Sequence, residues 1–214
     1  MQIGNQTGKP GNGVLRAGSS SVPVAWAANG GAAQIEVHFD PSTPLWDEFN
    51  PALQRLVVEL KGDNADDKRE VAFGLREFKA QGRDFTINRR LIHLRGTHHG
   101  GDFPLTGCPP ADIDYWRKIL GICRDWGLNH VRFHSFCPPE AAFSAADELG
   151  LYLQPECGMW NDINPGSEME RMMYEETRRM IRAYGNHPSF VMLSPSNEPK
   201  GRWKQSLPKW VECF

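Results

Sequence analysis

Two rhythms of apolar and polar positions divide this chain. Up to about residue 78 they alternate in short runs: Val22-Pro23-Val24-Ala25-Trp26, Gln34-Ile35-Glu36-Val37-His38-Phe39, Arg55-Leu56-Val57-Val58-Glu59-Leu60 and Arg69-Glu70-Val71-Ala72-Phe73-Gly74-Leu75. A period of two puts every second side chain on one face, so each run reads as a strand packed on one side. Asn29-Gly30-Gly31 and Gly62-Asp63-Asn64 supply turns between them. The pattern predicts a small antiparallel β domain over residues 1–78. It holds no cluster of titratable residues, so a packing or carbohydrate-facing role is expected of it.

From about Phe85 the rhythm becomes strand, helix, strand, helix, the pattern of a parallel sheet with crossover helices. Strands are predicted at 91–95, 130–133, 151–155 and 190–193, and helices at 112–126, 140–149 and 168–184. Pro109-Pro110 and Asp112 open the first helix and Gly127 closes it. Pro138-Pro139 precede the second helix, and Gly150 and Gly185 read as left-handed stops after the second and third. Leu120, Cys123 and Trp126, with Ile119 and Ile122 beside them, form a stripe expected to face the core. Four β/α units without a phosphate-binding G-x-G-x-x-G predict a partial (β/α)₈ TIM barrel over 79–214 rather than a dinucleotide fold.

Composition narrows the partners. The chain has 214 residues, 40% hydrophobic and 23% charged, with a formal net charge of -2, enough for one large domain or two small ones with a real core. Lys and Arg do not cluster, so neither a nucleic acid nor an anionic membrane is an expected partner, and a small or neutral one is. No apolar stretch reaches the roughly 18 residues of a membrane helix, and Met1 to Thr7 lack a secretory signal's basic and apolar segments, which leaves the compartment open. The five cysteines, Cys108, Cys123, Cys137, Cys157 and Cys213, are an odd number without a C-x-x-C pair, so they read as reduced thiols. Cys137, close to His134, is the one with any case as a nucleophile.

In a barrel the chemistry comes from the carboxyl ends of the strands. Here those ends carry Arg95 with His98-His99, then Arg132 and His134, then Glu156, then Asn197-Glu198. Polar and ionisable residues therefore gather at one rim, with Glu198 delivered at the tip of the run Phe190 to Ser196. Several readings stand side by side. Arg132 is either an electrostatic member of the site or a structural partner of Glu156. His98 and His99 are either site residues or loop residues without a ligand. Trp160 is either a stacking platform for a ligand or a core lid.

The stretch from about Leu45 onward resembles the family 2 glycoside hydrolases, which include β-galactosidases, β-glucuronidases and β-mannosidases. Pro44-Leu45-Trp46 and Asn50-Pro51-Ala52-Leu53 with Val57-Val58-Glu59-Leu60 look like late strands of the family's immunoglobulin-like sandwich, and Phe73-Gly74-Leu75-Arg76-Glu77 like the segment that leaves it. Phe85-Thr86-Ile87-Asn88 with Leu94-Arg95-Gly96 resembles the approach to the barrel. Gly127-Leu128-Asn129-His130-Val131-Arg132-Phe133-His134 is similar to the second-strand motif, and Ala146-Asp147-Glu148-Leu149-Gly150-Leu151-Tyr152 to the passage before Glu156. Asn186-His187-Pro188-Ser189 up to Asn197-Glu198 matches the acid/base signature. Six segments occur in the family's order.

The resemblance implies a retaining mechanism with two carboxyl groups about 5 to 5.5 Å apart, needing no cofactor. It makes Glu198 the acid/base residue and Asn197 a donor to the sugar 2-hydroxyl. It makes Arg132 an electrostatic anchor of the carboxylates and His134 a contact to sugar hydroxyls, and with the strand-end residues His99 and Glu156 and with Trp160 they form the expected substrate-binding rim. The family's nucleophile comes from the seventh barrel strand, so the expectation is a fragment of an exo-acting enzyme cleaving terminal β-linked sugars. Such a fragment is inactive alone, and its complete protein is a candidate homo-oligomer. Two departures are visible: Ser194-Pro195-Ser196 stands where the family has Ser-x-Gly, and the loop Thr97 to Pro104 differs from the β-galactosidase branch. The competing readings are a carbohydrate-binding module with a degenerate barrel, and a metal-dependent barrel hydrolase using His98, His99, His134 and Glu156.

Overall fold

A computed structural model describes residues 1–63 and 65–213; Asn64 of the predicted turn and Phe214 lie outside the described residues. The chain forms two compact units, one of residues 1–44 and 54–73, the other of residues 45–53 and 74–214.

The first unit is built on strands β1 (Gln2–Ile3), β2 (Gly11–Ala17), β3 (Ser20–Trp26), β4 (Gly31–Ala32), β5 (Gln54–Gly62) and β6 (Ala65–Phe73). The four long strands make an antiparallel sheet in the order β3-β2-β5-β6, and β1 pairs with β4. Leu15, Ala17, Val24, Trp26 and Val58 are buried on one face of the sheet together with Ile3, as the alternation predicts. The run at 34–39 differs from its expectation. Ile35 and Val37 do turn toward that core and Glu36 and His38 toward solvent, but the segment joins no strand ladder among the described residues.

The second unit begins with the antiparallel set β7 (Phe78–Gln81), β8 (Asp84–Ile87) and β9 (Arg90–Ile92). The first barrel strand, expected at 91–95, is instead β10 (Gly96–His99). Residues 90–92 turn back on β8 because Asn88 and Arg89 both take left-handed φ, 51° and 67°, as a two-residue hairpin turn demands. Then follow α1 (Ile113–Asp125), β11 (His130–Phe133), α2 (Glu140–Leu149), β12 (Tyr152–Gln154), α3 (Glu168–Tyr184) and α4 (Trp203–Val211). Strands β10, β11 and β12 are parallel neighbours; the predicted strand at 190–193 meets β12 through a single parallel bridge, Leu153 with Phe190, and just beyond both segments Glu156 bridges Ser194.

Local chemistry sets the helices. The Asp112 carboxylate accepts the Asp114 N–H at the start of α1, and Ser167 accepts that of Glu170 at the start of α3, while the Glu170 carboxylate reaches back to the Gly166 N–H. Gly150 ends α2 with φ 75°, but Gly185 after α3 stays right-handed at -61°. The stripe expected on α1 is shifted: Trp116 and Leu120 are buried, whereas Trp126 is 83% exposed beyond the last turn. Helix α4 was hidden by Pro208, which lies inside it; its Trp210 is held by an indole N–H bond to Thr177 Oγ1 of α3, 2.8 Å.

Two cores flank the parallel strands. On the helix side Val131, Phe133 and Leu153 pack against Trp116, Leu120, Phe143 and Ala146 of α1 and α2. Near the strands' amino ends, Trp46 and Tyr152 meet edge to face at 5.8 Å and pack with Ile87 and Ile92.

Candidate active site

The register of the parallel strands places His98, Arg132 and Gln154 in one row. Since Val131, Phe133 and Leu153 point to the helices, this row occupies the opposite face, which in a barrel is the inside. Just past the strand tips the chain gathers Ser135, Glu156 and Asn197. Arg132 Nε donates to Glu156 Oε1 at 2.6 Å, and Arg132 Nη2 donates to Asn197 Oδ1 at 2.8 Å. The other carboxylate oxygen, Glu156 Oε2, accepts the Ser135 backbone N–H at 2.9 Å. Glu156 is 1% exposed, so both of its oxygens are spent inside the protein. Arg132 is thus the ion-pair partner of Glu156 and, through its other edge, a donor to Asn197.

The segment carrying Asn197-Glu198 is anchored at both ends. At its start Asp147, nearly buried on α2, accepts from His187 Nδ1 at 2.6 Å and from the Ser189 N–H at 3.0 Å. Arg76 donates from Nε to the Pro188 carbonyl at 2.7 Å and from Nη2 to that of Phe190 at 2.6 Å, and burial lowers the pKa of its guanidinium. A Cβ on Gly74 would stand 2.8 Å from Pro188, so only glycine fits there. The Asn-His-Pro-Ser motif is therefore a mooring for the strand. At the far end the segment is laced to the loop after β12: Ser196 Oγ donates to the Met159 carbonyl at 2.7 Å, and the Asn197 N–H reaches the same oxygen at 3.3 Å. Pro195 costs no donor in this arrangement, because the neighbouring Ser194 N–H is the one that bonds, to the Pro155 carbonyl at 3.1 Å.

Glu198 is exposed and has φ 44°; Ser135 has φ 61°. Two left-handed residues other than glycine at one rim mark a backbone held by its surroundings. Trp160, 61% exposed, follows Met159 in the loop that carries the Ser196 and Asn197 anchors. His134 joins the cluster through Ser135, whose Oγ is 3.1 Å from its Nδ1, and the His98 ring lies 6.1 Å away.

His99 is not brought to this cluster. Adjacent residues of a strand point to opposite faces, and the His99 ring lies on the helix side, stacked on Phe103 at 5.2 Å and beside Trp116, Phe133 and Phe136. Its Nδ1 accepts the Gly101 N–H at 3.0 Å, and burial lowers its pKa. The metal reading loses its ligand set to the same geometry: His98 and His99 diverge and both Glu156 oxygens are occupied. Among the described residues no three His, Cys, Asp or Glu side chains converge on one point. The five cysteines are free thiols, and burial pushes Cys137 up to about 12, far from a thiolate nucleophile. Sequence reasoning missed Ser135 and Ser196; neither a backbone φ nor a hydroxyl aimed at a carbonyl leaves a mark in composition or spacing.

A partial parallel barrel with an Arg-Glu-Asn network beside an exposed strand-tip carboxylate gathers its polar groups where barrel enzymes hold their chemistry. Comparison with known proteins agrees. Residues 78–211 match the family "Glycosyl hydrolases family 2, TIM barrel domain". The chain is 31% identical over 150 residues to a β-galactosidase of Thermoanaerobacterium thermosulfurigenes, covering 69% of this chain and 20% of that protein. It is 26% identical over 172 residues to a β-glucuronidase of Streptococcus agalactiae, covering 72% and 28%. In fold it is similar to the crystal structure of a β-galacturonidase from Eisenbergiella tayi bound to galacturonate, with a TM-score of 0.82 at 19% identity over 98% of this chain and 40% of that one. The chain belongs to glycoside hydrolase family 2. It spans 20% and 28% of the length of these two curated relatives.

Proposed function

We propose that the complete gene product is a retaining, exo-acting glycoside hydrolase that removes terminal β-linked sugars, with Glu198 as general acid and then general base. The observation that carries this reading is the Arg132–Asn197 bond directly before Glu198. An arginine only donates, so Asn197 Oδ1 is the acceptor and its Nδ2 is left to donate to the sugar 2-hydroxyl, a contact that strengthens at the oxocarbenium-like transition state. Exposure of Glu198 at the strand tip suits a group that must meet the glycosidic oxygen of an incoming substrate. His134 takes a sugar hydroxyl, and Trp160 offers its face to a pyranose ring. His99 supports the rim from behind through its aromatic neighbours. The second carboxylate, the nucleophile, belongs to the part of the relatives' length that this chain does not span.

The domain reading is part of the same proposal. Residues 1–78 are an immunoglobulin-like β-sandwich in part, and 79–214 the amino-terminal half of the barrel. Substrates are neutral or uronic-acid glycosides, the range named by the galactosidase, glucuronidase and galacturonidase relatives, and the complete protein is a candidate homo-oligomer. The test is turnover of a panel of p-nitrophenyl β-glycosides, including galactoside, glucuronide and galacturonide, by the purified complete gene product. Hydrolysis of at least one supports the proposal. A folded protein that binds sugars and hydrolyses none is a carbohydrate-binding module instead.

A further inference from the structure

Glu156 has the burial of a core residue and the position of a site residue. At 1% exposure no sugar hydroxyl reaches it, and each of its oxygens already holds one donor: Arg132 Nε at 2.6 Å and the Ser135 N–H at 2.9 Å. Ser135, which supplies that second donor, sits at φ 61°, a conformation that β-branched residues do not hold. Arg132 is held through Nε, which leaves Nη2 aimed at Asn197 Oδ1, 2.8 Å away. A guanidinium is a rigid plane, so fixing one edge fixes the direction of the other.

We propose that Glu156 is a positioning residue and not a sugar ligand: braced by the left-handed Ser135, it orients Arg132, and Arg132 locks the Asn197 amide with Nδ2 facing the sugar 2-hydroxyl. This rests on the glycosidase reading of the site. Removing the Glu156 acceptor frees the guanidinium to turn, and the Asn197 amide loses the partner that decides which way it points. The loss is confined to substrates that have a 2-hydroxyl to bind, since a 2-deoxy sugar makes no use of Nδ2.

The experiment compares Glu156→Gln with the parent enzyme, as the complete gene product, on an aryl β-glycoside and on its 2-deoxy analogue. The substitution keeps size and shape but sets an amide N–H against either Arg132 Nε–H or the Ser135 N–H. The expected result is a fall in kcat of about 10²-fold on the 2-hydroxy substrate with KM within about threefold, the scale of a misplaced positioning group. On the 2-deoxy substrate the two proteins agree within about threefold, and in an Asn197→Ala background the Glu156→Gln penalty disappears. Ser135→Val is the second variant, set against Ser135→Ala: both keep the carboxylate and lose the Oγ contact to His134, but only the β-branched side chain is barred from the left-handed φ, so only Ser135→Val is expected to show the same dependence on the 2-hydroxyl. Equal losses on both substrates, or a rise in KM alone, overturn the inference. An unmodified enzyme without activity on any glycoside refutes the glycosidase reading itself, whereas a Glu198-dependent enzyme indifferent to both substitutions refutes only the role given to Glu156.

Discussion

The two units of the chain share exposed ion pairs but differ in buried ones. In the antiparallel sheet of the first unit, Arg55 pairs with Glu70 and Lys68 with Glu59 across neighbouring strands, on a face open to solvent. In the parallel unit, Glu156 and Asp147 are buried acceptors, at 1% and 5% exposure, and each holds two donors from a segment distant from it in sequence. Exposed cross-strand pairs gain little Coulomb energy and are screened by salt. A buried carboxylate must be fully partnered or it is costly, so it fixes the geometry of whatever partners it. The difference teaches where to look for function in such a chain: charge on a strand face is upkeep of the surface, and charge at a strand tip with buried partners is construction of a site.

The contrast can be broken most severely by removing the apolar support under the site. Trp46→Ala, which empties a fully buried position against Tyr152, is expected to cost about 3 to 5 kcal/mol, read as a fall in the denaturation midpoint of the barrel unit. Asp147→Ala comes next, at about 2 to 3 kcal/mol, because His187 Nδ1 and the Ser189 N–H lose their acceptor; faster hydrogen exchange at the Ser189 amide checks that the strand carrying Asn197-Glu198 has come loose at its mooring.

Acid gives a smaller and graded effect. Burial lowers the pKa of both His130 and His99 below the ordinary histidine value of 6.5. Below that value the unfolded chain binds more protons than the folded one, so the stability these residues contribute is complete near neutral pH. It is lost as the pH falls from 6.5 toward their lowered values. His130→Gln is expected to flatten the decline of melting temperature between pH 7 and pH 5. Smallest of all, Arg55→Ala is expected to leave the melting temperature unchanged within error, because its pair with Glu70 is exposed. A large effect there would erase the contrast between the units.

Much of the parallel unit was legible in the residues. Helices α2 and α3 and strand β11 fall at the predicted 140–149, 168–184 and 130–133, since each shows a clean period and stands between Pro, Gly or Ser signals. The first barrel strand was misplaced by about five residues. The apolar run near Leu91 belongs to a hairpin, while the true strand, Gly96-Thr97-His98-His99, has no apolar residue to betray it. His98 stands in the polar row with Arg132, and His99 takes the place of an apolar residue on the helix side, so periodicity has nothing to detect. At the rim, Arg132, Glu156 and Asn197 were named from strand-end logic, and the structure brings them together. His99 shows the limit of that logic. Which of two adjacent histidines turns inward depends on the strand's register, and an error of one residue in register exchanges them.

The measurement that tests the central claim most directly is the leaving-group dependence of Glu198→Gln in the complete gene product. The account predicts that hydrolysis of an alkyl or unactivated aryl β-glycoside falls by about 10²- to 10⁴-fold, while release of 2,4-dinitrophenol, which needs no protonation, keeps a far larger share of the parent rate in the first step. An unchanged rate on both kinds of substrate, with folding intact, would contradict the assignment of Glu198 as the acid/base residue.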